Sequence, residues 1–285
     1  MKTHRIRSNF NILSTYDGYA PNGKGVIILL LWILVGVILA NIVEIIYTLA
    51  LGKGDSIQYS MIIAYPLMFI PAMIWAAAKS RNNFTLEEET AIPPIDRADF
   101  GNIKPVFMVL MVMVATVACQ ILCDNFSLWM PEMPESLSNV MKSLTTGNIY
   151  ISLLLVSVFA PIFEEWLCRG MILRGLAQTK VGPMWAVVIS AVIFGLITGN
   201  PWQALPAIVL GILFGYVYIA TGSLKLTMLM HCTNNTIAVL VSQFSPLAEN
   251  DSLLEVMEPW QYITIVAASA VILTLFVRIL SKKNA

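Results

Sequence analysis

Eight apolar runs, each long enough to cross a bilayer, constrain this 285-residue chain more than any other feature. They lie at roughly 25–51, 59–78, 105–123, 148–166, 182–198, 202–220, 224–243 and 260–280, and a spanning helix needs about 20 such residues. Lipid offers no partner to backbone N–H and C=O groups, so runs of this length dictate helices. Apolar residues make up 58% of the chain and charged residues 12%, where soluble domains carry about 25% charged. The expected fold is all-α: a polytopic transmembrane helix bundle of about eight spans, with the site among the last four to five helices.

The first 24 residues are polar and basic. The apolar run after them exceeds the roughly 7–15 residues of a signal-peptide core, so it reads as a retained first span. Gly182-Pro183, Gly199-Asn200-Pro201 and Gly222-Ser223 punctuate the later joints. The segmentation is a tail at 1–24, spans and polar joints at 25–147, a core at 148–243, and an acidic joint, last span and basic tail at 244–285. No internal repeat is evident.

With a cytoplasmic N-terminus, the same-side segments are the N-terminal tail, joints 79–104, 167–181 and 221–225, and the C-terminus. They hold 15 of the 17 Lys and Arg residues, all but Lys53 and Lys142. Thirteen remain if Arg169 and Arg174 belong to a helix. The last opposite-side joint is acidic (Glu249, Asp251, Glu255, Glu258). This follows the positive-inside rule and predicts a multi-pass protein with both termini cytoplasmic; for a bacterial source, the membrane expected is the inner (cytoplasmic) one. Net charge is zero, so nothing argues for nucleic acid. Cys119, Cys123, Cys168 and Cys232 fall in apolar runs without metal-type spacing, and read as buried thiols.

Against this background a few polar residues stand out. Glu164 and Glu165 interrupt the fourth run and Arg169 follows. Ionisable residues at bilayer depth usually face a bundle interior and mark function. Glu165 and Arg169 are i,i+4 with the acid first, the better order for a helical ion pair. Glu164 is left without a sequence-local partner; a carboxylate kept from water becomes a better base, which suits it to general-base work near neutral pH. The bland alternative is a Glu-Glu-Arg cluster that only locks helices together. His231, the one histidine besides His4, shares a helix face with Asn235 at i,i+4, with Asn234 beside them. Gln203, Asn234 and Asn235 can bridge helices. Glu44 reads as a residue near the outer end of the first span or hydrogen-bonded to a neighbour, and Asp124 as a wet helix end.

These residues resemble the CAAX-protease and bacteriocin-processing family of intramembrane proteases (CPBP or Abi, type II CAAX prenyl endopeptidase-like). Its motif E-E-x-x-x-R is matched by Glu164, Glu165 and Arg169, and H-x-x-x-N by His231 and Asn235, in family order on separate late helices. Gly211 to Gly215, Tyr218 and Thr221 to Leu224 look like the connector before the third motif. The resemblance covers roughly 148–242. It implies that Glu164 activates a water for attack on a peptide carbonyl and that His231 and Asn235 donate to the oxyanion. Arg169 then either orients the glutamates or meets a substrate carboxylate. The implied substrate is a membrane-associated peptide or protein, prenylated or a leader peptide.

The chain departs from the family at motif two. Where F-x-x-x-H is usual, Phe194-Gly195-Leu196-Ile197-Thr198 stands, and a threonine hydroxyl cannot act as a base near neutral pH. Either Glu164 suffices as base with Thr198 placing the water, at reduced activity, or the protein is a pseudoprotease acting as a membrane scaffold or regulator. A proton-coupled transporter is a third class, but no paired interrupted spans suggest inverted repeats. A zinc site takes about three protein ligands. This chain offers one histidine within a span and two glutamates, and Cys168 and Cys232 each point about 100° from the neighbouring motif residue. No metal and no cofactor are expected.

Overall fold

The computed structural model describes residues 12–51, 56–86, 92–131, 133–145, 147–244 and 252–283. The assignments made above for His4, Lys53, Glu249 and Asp251 fall outside them. Helices supply the regular structure of the described residues: α1 (Gly23–Leu51), α2 (Ser56–Leu86), α3 (Pro105–Cys123), α4 (Glu135–Thr145), α5 (Ile149–Ala177), α6 (Gly182–Ile197), α7 (Pro201–Thr221), α8 (Leu224–Phe244) and α9 (Pro259–Lys283). The protein is an all-α polytopic bundle.

Six of these helices are long and apolar enough to cross a membrane: α1, α2, α3, α5, α7 and α9. The other two predicted spans are helical but fall short of that measure for different reasons. α6 has 16 residues, about 24 Å of helix against a hydrocarbon core of about 30 Å. α8 has 21 residues, but Lys225, His231, Asn234 and Asn235 lower its hydropathy.

Two predicted boundaries are corrected. α2 continues to Leu86 rather than stopping at 78. α5 continues through the proposed joint 167–181 as far as Ala177, so Arg169 and Arg174 are helix residues. Their charges are met inside the bundle, which is why the helix can carry them.

The backbone of α5 is not uniform. Its turns widen at Leu153–Phe159 and again at Trp166–Leu173. The Ala160 N–H reaches the Leu155 carbonyl and the Arg174 N–H the Arg169 carbonyl, each five residues back. Such π-turns recur at functional sites. Glu164 and Glu165 close the ordinary α-helical stretch between them. In the wide register the partner of the Val156 carbonyl would be residue 161, which is proline and has no N–H. The Asn235 side-chain amide donates to that carbonyl instead, at 2.7 Å. Asn235 therefore ties α8 to α5 where the α5 ladder is broken.

Contacts beyond the helices gather at two ends. At one end Arg174 donates to the carbonyls of Tyr16, Tyr19 and Pro93. There Asp96 accepts from the Leu224 N–H at 2.9 Å and pairs with Lys225 at 3.0 Å, and Lys283 donates to the Ala220 carbonyl. At the other end Gln58 bonds Asn148, Trp202 donates to the Pro131 carbonyl, and Gln243 donates to the Thr145 carbonyl. Asp124 at this end is not merely wet: it accepts from Ser252, the Leu253 N–H and Tyr262.

α1 and α2 form a close hairpin. A Cβ on Gly36 would collide with the Met68 backbone, the kind of approach small residues permit between membrane helices. Much of the outer face of α1 stays exposed and apolar, including Leu31, Leu34, Ile38 and Ile42. Glu44 is half-buried two turns before the end of α1.

Candidate functional site

The site forms where α2, α5, α6, α7 and α8 meet. Adjacent positions on a helix point about 100° apart, so Glu164 and Glu165 face different surroundings. Glu165 is fully buried, and its Oε1 accepts from Arg169 Nη1 at 2.7 Å. Arg169 is equally buried. Its Nη2 donates to the Gly211 carbonyl at 2.9 Å, and its guanidinium lies 4.6 Å from the Phe194 ring centre and 5.4 Å from that of Phe214. An uncompensated buried charge is costly. Here the ion pair, a backbone carbonyl and two aromatic faces supply the compensation. A Cβ on Gly211 would lie 3.1 Å from Arg169 Nη2 and 3.1 Å from Ala191, so this glycine leaves the room the guanidinium occupies.

His231 enters from α8 and completes the buried cluster. Its Nδ1 lies 3.1 Å from Glu165 Oε1. A carboxylate paired with arginine accepts only, so Nδ1 carries the proton of this bond. The imidazole packs edge-on against Phe194 at 5.3 Å and tilted against Phe214 at 5.9 Å. The same two rings therefore flank both Arg169 and His231. Nε2 then faces Glu164, 4.0 Å from its Oε2. That is too long for a direct hydrogen bond, and one bridging oxygen can reach both atoms.

Glu164 differs from its neighbour. Its side chain is 14% exposed where that of Glu165 is 0%. Its Oε1 accepts a hydrogen bond from the Tyr65 hydroxyl of α2. The Tyr65 ring leans on Phe69 and Phe163, which stack on each other at 5.3 Å. No pattern in the sequence pairs Tyr65 with Glu164. The one available signal was a tyrosine in the middle of an apolar run, whose hydroxyl needs a partner when buried.

The structure thus gathers Glu164, Glu165, Arg169 and His231. Asn235 is one turn further along α8, and its amide is engaged with Val156. Asn234 donates to Asn235 Oδ1 within the same helix rather than across helices, and Gln203 lies exposed in the first turn of α7. Thr198 follows Phe194 by one turn, just past the end of α6. Its hydroxyl donates back to the Gly195 carbonyl at 2.8 Å, capping its own helix rather than reaching the carboxylates.

Glu165 Oε1 is shared by Arg169 Nη1 and His231 Nδ1. Glu164 and His231 Nε2 are the groups that face each other at the outer edge, short of a three-ligand set for a metal. Among the described residues no group of three or more His, Cys, Asp or Glu side chains is placed to hold a metal ion.

Residues 146–237 match the model of the family described as type II CAAX prenyl endopeptidase Rce1-like. The match takes in α5 to α8 up to Ile237 and leaves residues 1–145, with Tyr65, outside. No curated protein and no solved structure matches the chain.

Proposed function

We propose that this chain, in which a domain of the Rce1-like type II CAAX prenyl endopeptidase family occupies residues 146–237, is an intramembrane endopeptidase working with a depleted catalytic set. The observation that carries the reading is the contrast between the two glutamates. Glu165 is consumed by structure, while Glu164 keeps Oε2 turned toward His231 Nε2 across 4.0 Å. A water in that gap gives a proton to Glu164 and attacks a peptide carbonyl. An N–H on His231 Nε2 donates to the resulting oxyanion, and Glu164 passes the proton it took from water to the leaving nitrogen as the C–N bond breaks. Arg169 is buried away from any substrate and serves by holding Glu165, which in turn orients His231. The second N–H of the Asn235 amide is the only one left to join the oxyanion site.

The substrate is a membrane-associated peptide, either prenylated or a leader peptide. The chain crosses the bilayer eight times, α6 and α8 included. Supporting this, segments 12–22, 92–104 and 221–225 meet at one end of the bundle, beside Arg174 near the end of α5. The alternating segments 124–131, 147–148, 198–202 and 252–258 meet at the other. The basic end faces the cytoplasm of a bacterial inner membrane.

The test is cleavage of helical or lipidated peptides by reconstituted protein. Glu164→Gln abolishes turnover, a loss of about 10²-fold or more; equal cleavage by the two proteins removes Glu164 as base. Thr198→His raises turnover if that position still faces the water.

A second reading is a non-catalytic scaffold that keeps the fold. It is favoured by two observations: Thr198 is spent on the Gly195 carbonyl and Asn235 on the Val156 carbonyl. It predicts that Glu164→Gln leaves the cellular phenotype and membrane insertion intact.

A further inference from the structure

Tyr65 lies outside the matched domain, in a helix that carries none of the family motifs, yet it makes the direct contact with the candidate base. Its hydroxyl donates to Glu164 Oε1, while Glu164 Oε2 is the oxygen nearest His231 Nε2. The two carboxylate oxygens therefore have separate occupations. One is held by a neutral donor from α2 and the other is free toward the α8 imidazole. Without the first contact the side chain can rotate about its last torsion, because terminal sp²–sp³ torsions are broad and roughly two-fold.

We propose that Tyr65 is a positioning residue for Glu164, fixing Oε1 so that Oε2 stays aimed at the reacting water. The inference rests on the endopeptidase reading for its kinetic consequence, though not for the contact itself. Three features carry it. Among the described residues the phenol is the side chain that donates to Glu164, since Arg169 and the His231 Nδ1 both turn to Glu165. The ring is braced by Phe69 and Phe163, so the hydroxyl is presented from a fixed direction. The family's motif-two position is occupied by Thr198, which caps its own helix and does not orient Glu164. A positioned carboxylate matters most where fewer other groups hold the water, because small misplacements of a catalytic group are costly.

The arrangement also assigns a task to α2. The hairpin of α1 and α2 brings a wall of the site to the matched domain, so the domain alone lacks one contact to its base.

The experiment uses the full chain in lipid nanodiscs, with wild type, Tyr65→Phe, Glu164→Gln and the double variant. Phenylalanine keeps the ring against Phe69 and Phe163, and thermal unfolding of each variant checks the fold. The first readout is the infrared C–O band of tyrosine, taken as the difference between wild type and Tyr65→Phe. Glu164→Gln, which weakens the acceptor, should shift that band. An unshifted band overturns the proposal whatever the activity.

The second readout is peptide cleavage. Tyr65→Phe should lower kcat about tenfold, the size of one hydrogen bond to a charged group, with KM unchanged. It should add nothing to Glu164→Gln. A Tyr65→Phe variant with unaltered kcat, in a protein that Glu164→Gln inactivates, overturns the positioning role and leaves the endopeptidase reading standing. A shifted band in a wild type that cleaves nothing supports the Tyr65–Glu164 coupling and counts against the endopeptidase reading instead.

Discussion

The inner pocket around Glu165 and the outer edge around Glu164 are one residue apart in sequence and opposite in construction. In the pocket, Glu165, Arg169 and His231 are bonded to one another and clasped by Phe194 and Phe214. At the edge, among the described residues, Glu164 has one donor, Tyr65, and an oxygen that no other group takes up at hydrogen-bonding distance. The pocket turns Glu165 Oε1, Arg169 and His231 Nδ1 inward on its own geometry and leaves Glu165 Oε2 and Arg169 Nε buried without a hydrogen bond among the described residues, whereas the edge keeps a partly exposed carboxylate oxygen in reserve. Two neighbouring acids can thus serve as a scaffold and a reagent, because a helix turns consecutive side chains by about 100°.

The comparison can be broken by stability measurements in detergent or nanodiscs. Arg169→Met should have the largest effect, about 3–5 kcal/mol lost or failure to accumulate, since it strands Glu165 as a buried charge. A mild effect would mean that the pocket is wetter or less tightly tied than the structure places it. Gly211→Ala should follow at roughly 1–3 kcal/mol, because its Cβ would crowd Arg169 and Ala191 in a packed interior. Asn235→Ala should cost about 1 kcal/mol, the scale of an interhelical hydrogen bond in a membrane. It leaves the Val156 carbonyl beside Pro161 without a donor. Glu164→Gln should change unfolding least, by under about 1 kcal/mol, because an amide oxygen still accepts from Tyr65. Equal destabilisation by Glu164→Gln and Glu165→Gln would erase the difference between pocket and edge.

The contrast between what could and could not be read in advance follows the range of each contact. The Glu165–Arg169 pair was legible because both residues lie on one helix at a spacing that geometry converts directly into contact. The approach of His231 to the glutamates was legible only as a resemblance, since 66 residues separate His231 and Glu165. Tyr65 was missed because 99 residues separate it from Glu164 and no periodicity links α2 to α5. The wide turns of α5 were missed although Pro161 hinted at a broken ladder. Whether a helix answers a missing donor by kinking, widening or borrowing an amide depends on the neighbouring helix.

Alone, the sequence determined that this chain is a helical bundle built for lipid, because apolar runs of bilayer length have few other ways to satisfy their backbones. It also marked which polar residues had to be explained. Only the tertiary structure decided how those residues divide their work. It committed Glu165 to Arg169 and His231, gave Glu164 to Tyr65, set Asn235 on the α5 backbone and left Thr198 capping its own helix. These are choices between partners of similar chemistry, and side-chain reach across packed helices settles them.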